Sequence, residues 1–113
     1  MSQTFTLTQT PLPAPPHFHV VTVYPNPIGA SGALFVLSVP RPATVGFWLY
    51  DLRGELVWSG TQSYPVGGNY QYAWPAQNNF GAAISYGAYY LNAKAAYTDG
   101  NGEQDGKWLT VLR

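Results

Sequence analysis

The chain has 113 residues and no cysteine. That is enough for one domain with its own core, and it excludes a disulfide framework, a thiolate zinc site and a cysteine nucleophile. Five Lys+Arg balance five Asp+Glu and only 9% of residues are charged, which argues against a nucleic-acid binder, because phosphates are met by a basic face. Aromatics reach 16%, beside 12 Gly and 10 Pro; this composition is β-rich and turn-rich rather than disordered, with a neutral surface of the kind that meets a partner.

The first residues differ from the rest. Thr4-Phe5-Thr6-Leu7-Thr8 alternates polar and apolar, a short strand pattern with Phe5 and Leu7 on one face. Pro11-Leu12-Pro13-Ala14-Pro15-Pro16 follows; its prolines hold the backbone near polyproline II and remove ladder donors. Residues 1–17 therefore read as a β-capable arm on a stiff spacer, and 18–113 as the compact domain. Strand signals then come at short intervals, cut by Gly and Pro. His19 to Tyr24 is the first predicted strand, stopped by Pro25-Asn26-Pro27, with a turn from Ile28 to Gly32. Ala33 to Val39 and Val45 to Tyr50 follow; Val45, Phe47 and Leu49 form the inward face of the latter and leave Trp48 outward. Asp51-Leu52-Arg53-Gly54 reads as a hairpin turn with Gly54 in the left-handed position. Glu55 to Trp58 returns as a strand, and in Asn69 to Trp74 the rings of Tyr70, Tyr72 and Trp74 share one face. Asn78-Asn79-Phe80-Gly81 is a turn, Ala88 to Tyr97 a long strand, Asp99 to Gly106 a polar hairpin loop, and Lys107 to Leu112 the last strand. Seven strands without a helix predict an all-β antiparallel β-sandwich.

Several segments stand in a recognisable order: Val23-Tyr24-Pro25-Asn26-Pro27, then Tyr50-Asp51-Leu52-Arg53-Gly54-Glu55-Leu56-Val57, then Gly68 with Trp74, Gly81, Gly87-Ala88-Tyr89-Tyr90, and Lys107 to Arg113. Over about residues 20–113 the chain resembles the immunoglobulin-like domain of the FlgD flagellar hook-cap family, and is similar to the C-terminal sorting domains of type IX secretion cargo. The resemblance implies a non-catalytic module for assembly, attachment or export, with no cofactor and no catalytic residue. One departure stands out: the family's Trp-Asp-Gly is Trp74-Pro75-Ala76 here, so the Asp and Gly that shape that turn are missing.

Reactive chemistry finds little footing. His17 and His19 point the same way from a strand, but no carboxylate lies near in sequence to complete a metal site. Asp99, Asn101, Glu103 and Asp105 place oxygens at alternate positions, the beginning of a calcium loop; yet Gln104 stands where such a loop has its Gly, and Thr110 where it has its bidentate Glu. A plain hairpin accounts for the same residues. Gly29-Ala30-Ser31-Gly32 lacks the spacing of a nucleophile elbow, and there is no phosphate-cradling Gly-Lys motif. No catalytic residue, metal or cofactor is expected.

The aromatics remain. Trp48, Trp58, Tyr70, Tyr72, Tyr90 and Trp108 are too many for the interior of so small a domain. An outward row of rings can form a protein interface, stack on sugar faces, or pair across strands as sheet stabilisation. The partner-binding residues expected are Phe5, Leu7, Trp48, Tyr90 and Trp108.

The function expected is a structural or assembly module of a cell-surface or extracellular complex, acting through protein–protein contacts such as strand addition by the arm. The alternatives are a carbohydrate-binding module and an accessory subunit of an intracellular assembly. No apolar run approaches the roughly 18 residues of a membrane helix, Ala33 to Leu37 being the longest. No basic and apolar leader is visible at the N-terminus, which leaves a cytoplasmic location open beside the extracellular one.

Overall fold

A computed structural model describes residues 17–29 and 31–112. Seven strands follow in chain order, with no helix among these residues. They are β1 (His19–Gly29), β2 (Gly32–Val39), β3 (Ala43–Tyr50), β4 (Leu56–Tyr64), β5 (Gly68–Trp74), β6 (Gly87–Tyr97) and β7 (Gly102–Val111). The expected all-β, seven-stranded architecture is present. The Thr4–Thr8 strand and the proline spacer lie outside the described residues.

The strands hydrogen-bond in the order β4-β3-β6-β7-β1-β2-β5. Every pair is antiparallel except β1 with β7, which meet in parallel at Ile28 and Val111. This single order must curl, because residues far apart in it touch. Phe35 of β2 lies 5.8 Å from Phe47 of β3, and Tyr72 of β5 lies 4.6 Å from Phe47, centroid to centroid. The two end strands also meet ring to ring, with Trp58 5.7 Å from Trp74 and Tyr64 4.3 Å from Tyr70.

Alternation decides what fills the space between. Val45, Phe47 and Leu49 of β3, Leu91, Ala93 and Ala95 of β6, and Phe35, Leu37 and Val39 of β2 are all buried at period two. Among the described residues no charged side chain is fully buried, so burial of apolar surface drives closure without the cost of desolvating an ion. Tyr89 and Trp74 are buried as expected, and the Tyr89 hydroxyl donates to the Ser85 carbonyl oxygen at 2.7 Å.

Three boundaries differ from expectation. Pro25-Asn26-Pro27 does not stop the first strand; β1 runs through it to Gly29. The physical reason is Asn26, whose side-chain oxygen accepts the Thr110 N–H at 3.0 Å and so ties the segment to β7 through an acceptor, although the prolines have no N–H to donate. Ile28 then rejoins the sheet, its carbonyl accepting the Leu112 N–H at 2.8 Å. The polar stretch 99–106 is not a loop throughout, since β7 begins at Gly102 and pairs with β6 from Ala96↔Gly102 onward. β4 continues past Trp58 to Tyr64, because Ser59 to Ser63 still find partners on β3.

At the β3–β4 hairpin the expected turn is present. Gly54 has φ +84, its N–H donates to the Asp51 carbonyl, and the register shifts beside Tyr50. At the departed Trp74-Pro75-Ala76 turn, Ala76 is buried and takes φ +61. It occupies a left-handed conformation that usually falls to glycine.

Candidate interaction surface

The outer face of β4, β3, β6 and β7 carries four aromatic residues that the core does not use, Trp48, Tyr50, Tyr90 and Trp108. Register places Tyr50, Tyr90 and Trp108 directly opposite one another on three neighbouring strands. The next row is Trp48, Asn92 and Gly106, and the one after is Gly46, Lys94 and Gln104. Tyr90 and Trp108 meet edge to face at 5.1 Å, the geometry that their ring quadrupoles favour. Trp108 is 61% exposed. Trp48 is half-buried because its ring folds over Gly46, and the Tyr90 hydroxyl lies over Gly106. A Cβ at either glycine would collide with the ring above it, so the glycines let the aromatics lie flat on the sheet. The Lys94 ammonium stands 5.5 Å from the Trp48 ring. It is the single charged side chain on this face among the described strand residues.

Three of the expected site residues, Trp48, Tyr90 and Trp108, thus come together on one face, and Tyr50, which is not among the expected residues, joins them. Its signal was available: Tyr50 is two residues from Trp48 on the same strand. Phe5 and Leu7 lie outside the described residues. The other outward candidates turn inward. Trp58 is buried, and Tyr70 and Tyr72 pack against the core. Curling brings β4 and β5 together and makes room for those rings between them.

The carboxylates of β7 do different work from the one their spacing suggested. Glu103 accepts the Phe18 N–H at 2.9 Å and the Tyr97 hydroxyl, and its other oxygen lies 2.6 Å from His17 Nδ1. Asp105 accepts the Val20 N–H at 2.9 Å. Two carboxylates at alternate positions thereby meet two alternate N–H groups, Phe18 just before β1 and Val20 within it, where β1 and β7 have no main-chain ladder. The three donors hold the Glu103 carboxyl at about 2, the Phe18 N–H being the strongest influence, followed by Tyr97 and His17. Burial first, and then the bond to Glu103, pushes Tyr97 up to about 12. Arg41 lies 3.8 Å above the Tyr97 ring and pairs with Asp99 at 3.1 Å. Asp99 also accepts the Asn101 N–H. Asp99 is thus engaged with Arg41 and Asn101, Glu103 with Phe18, Tyr97 and His17, and Asp105 with Val20. His19 turns to the His17 carbonyl at 3.2 Å rather than joining a ligand set.

No family model matches the sequence, and no curated protein matches it. Solved structures do. One is dimeric latent PorU of Porphyromonas gingivalis, at TM-score 0.71 and 24% identity over 82% of this chain. Another is FlgD of Xanthomonas campestris, described as a hook-capping protein essential for flagellar assembly, at TM-score 0.64 and 20% identity over 82% of this chain and 67% of that one. The chain has the FlgD-like fold. PorZ, a surface component of the type IX secretion system of P. gingivalis, matches at TM-score 0.52 and 19% identity over 81% of this chain. The chain spans only 9% of PorU and 11% of PorZ. A FlgD-like fold by itself does not name a task.

Proposed function

We propose that this chain is a non-enzymatic structural or assembly module of a cell-surface or extracellular complex, and that it acts through protein–protein contacts. The observation that carries this reading is the outward row Tyr50–Tyr90–Trp108, with one lysine beside it and no part in the core. Tyr and Trp are enriched at interfaces, and charge is depleted at interface centres. The hook-capping role of FlgD in flagellar assembly and the surface location of PorZ support the same reading. Phe5 and Leu7 of the arm add a second contact, by strand addition. The proposal involves no metal, cofactor or catalytic group.

A flat row of rings also suits the face of a sugar, so the test has two arms. Trp108→Ala should leave unfolding within about 1 kcal/mol of the parent, because its ring is mostly in water, and should reduce the assembly mass seen by light scattering. If the variant assembles as the parent does but loses retention on insoluble polysaccharide, the carbohydrate-binding reading replaces this one.

A further inference from the structure

β4 and β5 stand at the two ends of the described strand order, and they are not equivalent. On β4 the side-chain amide of Asn79 donates to the Ser59 carbonyl at 2.8 Å and accepts the Ser59 N–H at 2.9 Å. These are the bonds a neighbouring strand would make, so that edge is capped from within. Along β5, every residue from Gly68 to Trp74 pairs with β2 on one side without a bulge. On the other side no described segment hydrogen-bonds to its main chain. β5 carries no charge and no proline, so it lacks the devices that usually keep an edge from pairing. Its inward rings Tyr70 and Tyr72 are only half-buried, which leaves apolar surface at the rim.

We propose that the edge of β5 receives residues Thr4–Thr8 of a second copy of this chain as an added strand. This rests on the assembly reading above and names the partner and the acceptor. The segment alternates Thr4-Phe5-Thr6-Leu7-Thr8, and β5 alternates Asn69-Tyr70-Gln71-Tyr72. One register sets Phe5 and Leu7 against the half-buried tyrosines and the threonines beside Asn69 and Gln71.

A second copy fits better than the chain's own segment because Glu103 and Asp105 hold residues 17–20 against β7, so the chain enters the sheet on the flank of β1 away from β2 and its own β5 edge.

The absence of cysteine makes disulfide trapping clean. Full-length Thr6→Cys mixed with full-length Gln71→Cys under mild oxidation should give a covalent heterodimer, whereas Thr6→Cys mixed with Thr61→Cys on β4 should not. The double variant T6C/Q71C should link between chains. Trapping at Thr61 alone would overturn β5 as the acceptor and leave arm-mediated assembly standing. A disulfide within one monomeric chain would overturn the second copy. If a chain lacking residues 1–16 assembles as fully as the parent by light scattering, the arm has no assembly role, and the proposal falls with it.

Discussion

Two sets of rings in this chain come from the same residue types and the same strand alternation, yet they do opposite things. Phe35, Phe47, Trp58, Tyr72 and Trp74 form a connected cluster between the two halves of the curled sheet, with centroid separations from 4.6 to 6.2 Å. Trp48, Tyr50, Tyr90 and Trp108 lie on the outside of β3, β6 and β7, one strand thickness away. The inner set touches rings from facing strands, so losing one opens a cavity. The outer set rests on glycines and on its in-sheet neighbours, so losing one mostly removes surface. A single side-chain period separates holding the domain together from meeting a partner.

The sharpest way to break that comparison is to truncate one member of the inner set. Phe35 is fully buried and touches four other rings. Phe35→Ala should cost about 4 kcal/mol in a denaturant titration. A loss no larger than that of Trp108→Ala would erase the distinction between the two sets.

Next comes the support of the outer set. Gly106→Ala puts a methyl group where the Tyr90 hydroxyl lies. Displacing that ring from the sheet should cost about 1–3 kcal/mol, and it should disturb assembly more than it disturbs the inner cluster. Unchanged near-ultraviolet circular dichroism and unchanged stability would show that Tyr90 does not lie over Gly106.

A smaller effect separates both ring sets from the polar lock between β1 and β7. The Glu103 carboxyl is depressed from 4.5 to about 2 in the folded chain. A group depressed by folding stabilises the native state above its unfolded value and loses that contribution as pH falls through the folded one. The lock should therefore be fully present above about pH 4.5 and fade toward about pH 2. Glu103→Gln should cost about 1 kcal/mol at neutral pH, modest because the carboxylate is partly exposed, and should flatten the acid limb of the stability profile. An acid limb of unchanged steepness in E103Q would assign that limb to other carboxylates.

The smallest expected effect concerns the turn after β5. Ala76 sits at φ +61, a conformation costing an alanine roughly 1–2 kcal/mol, while its buried methyl returns about 0.8 kcal/mol. Ala76→Gly should be neutral or stabilising by up to about 1 kcal/mol. A clear loss on thermal melting would mean that the methyl packs better than the backbone cost implies.

Much of this was legible in advance, for a local reason. Alternation in Val45-Gly46-Phe47-Trp48-Leu49 assigns faces without knowledge of any partner, and the structure buries Val45, Phe47 and Leu49 while leaving Trp48 at the surface. Gly54 and Asn78-Asn79-Phe80-Gly81 signal turns through their own backbone needs, and Asn78 accepts the Phe80 and Ala82 N–H groups inside that turn. Other features hid because their partners lie far along the chain. Glu103 and Asp105 resemble loop ligands until the N–H groups of Phe18 and Val20, each 85 residues away, come beside them. Asn26 looks like part of a strand breaker until Thr110, 84 residues on, donates to it.

The sequence by itself determined the seven strands of the described residues, the inward face of each central strand and the tight turns at Gly54 and at Asn78 to Gly81, because a strand's period of two and a turn's dihedral needs are properties of neighbouring residues. It could not determine which outward rings remain outward. Trp58, Tyr70 and Tyr72 stand in the same kind of alternating segments as Trp48 and Tyr90, but lie on strands that the curl brings face to face. Nor could it show that Asn79 caps one edge of the sheet while no described segment hydrogen-bonds to the outer side of β5. Those outcomes belong to the tertiary structure alone, since they depend on how far a twisted seven-strand order closes on itself and on which distant groups then lie within about 3 Å of one another.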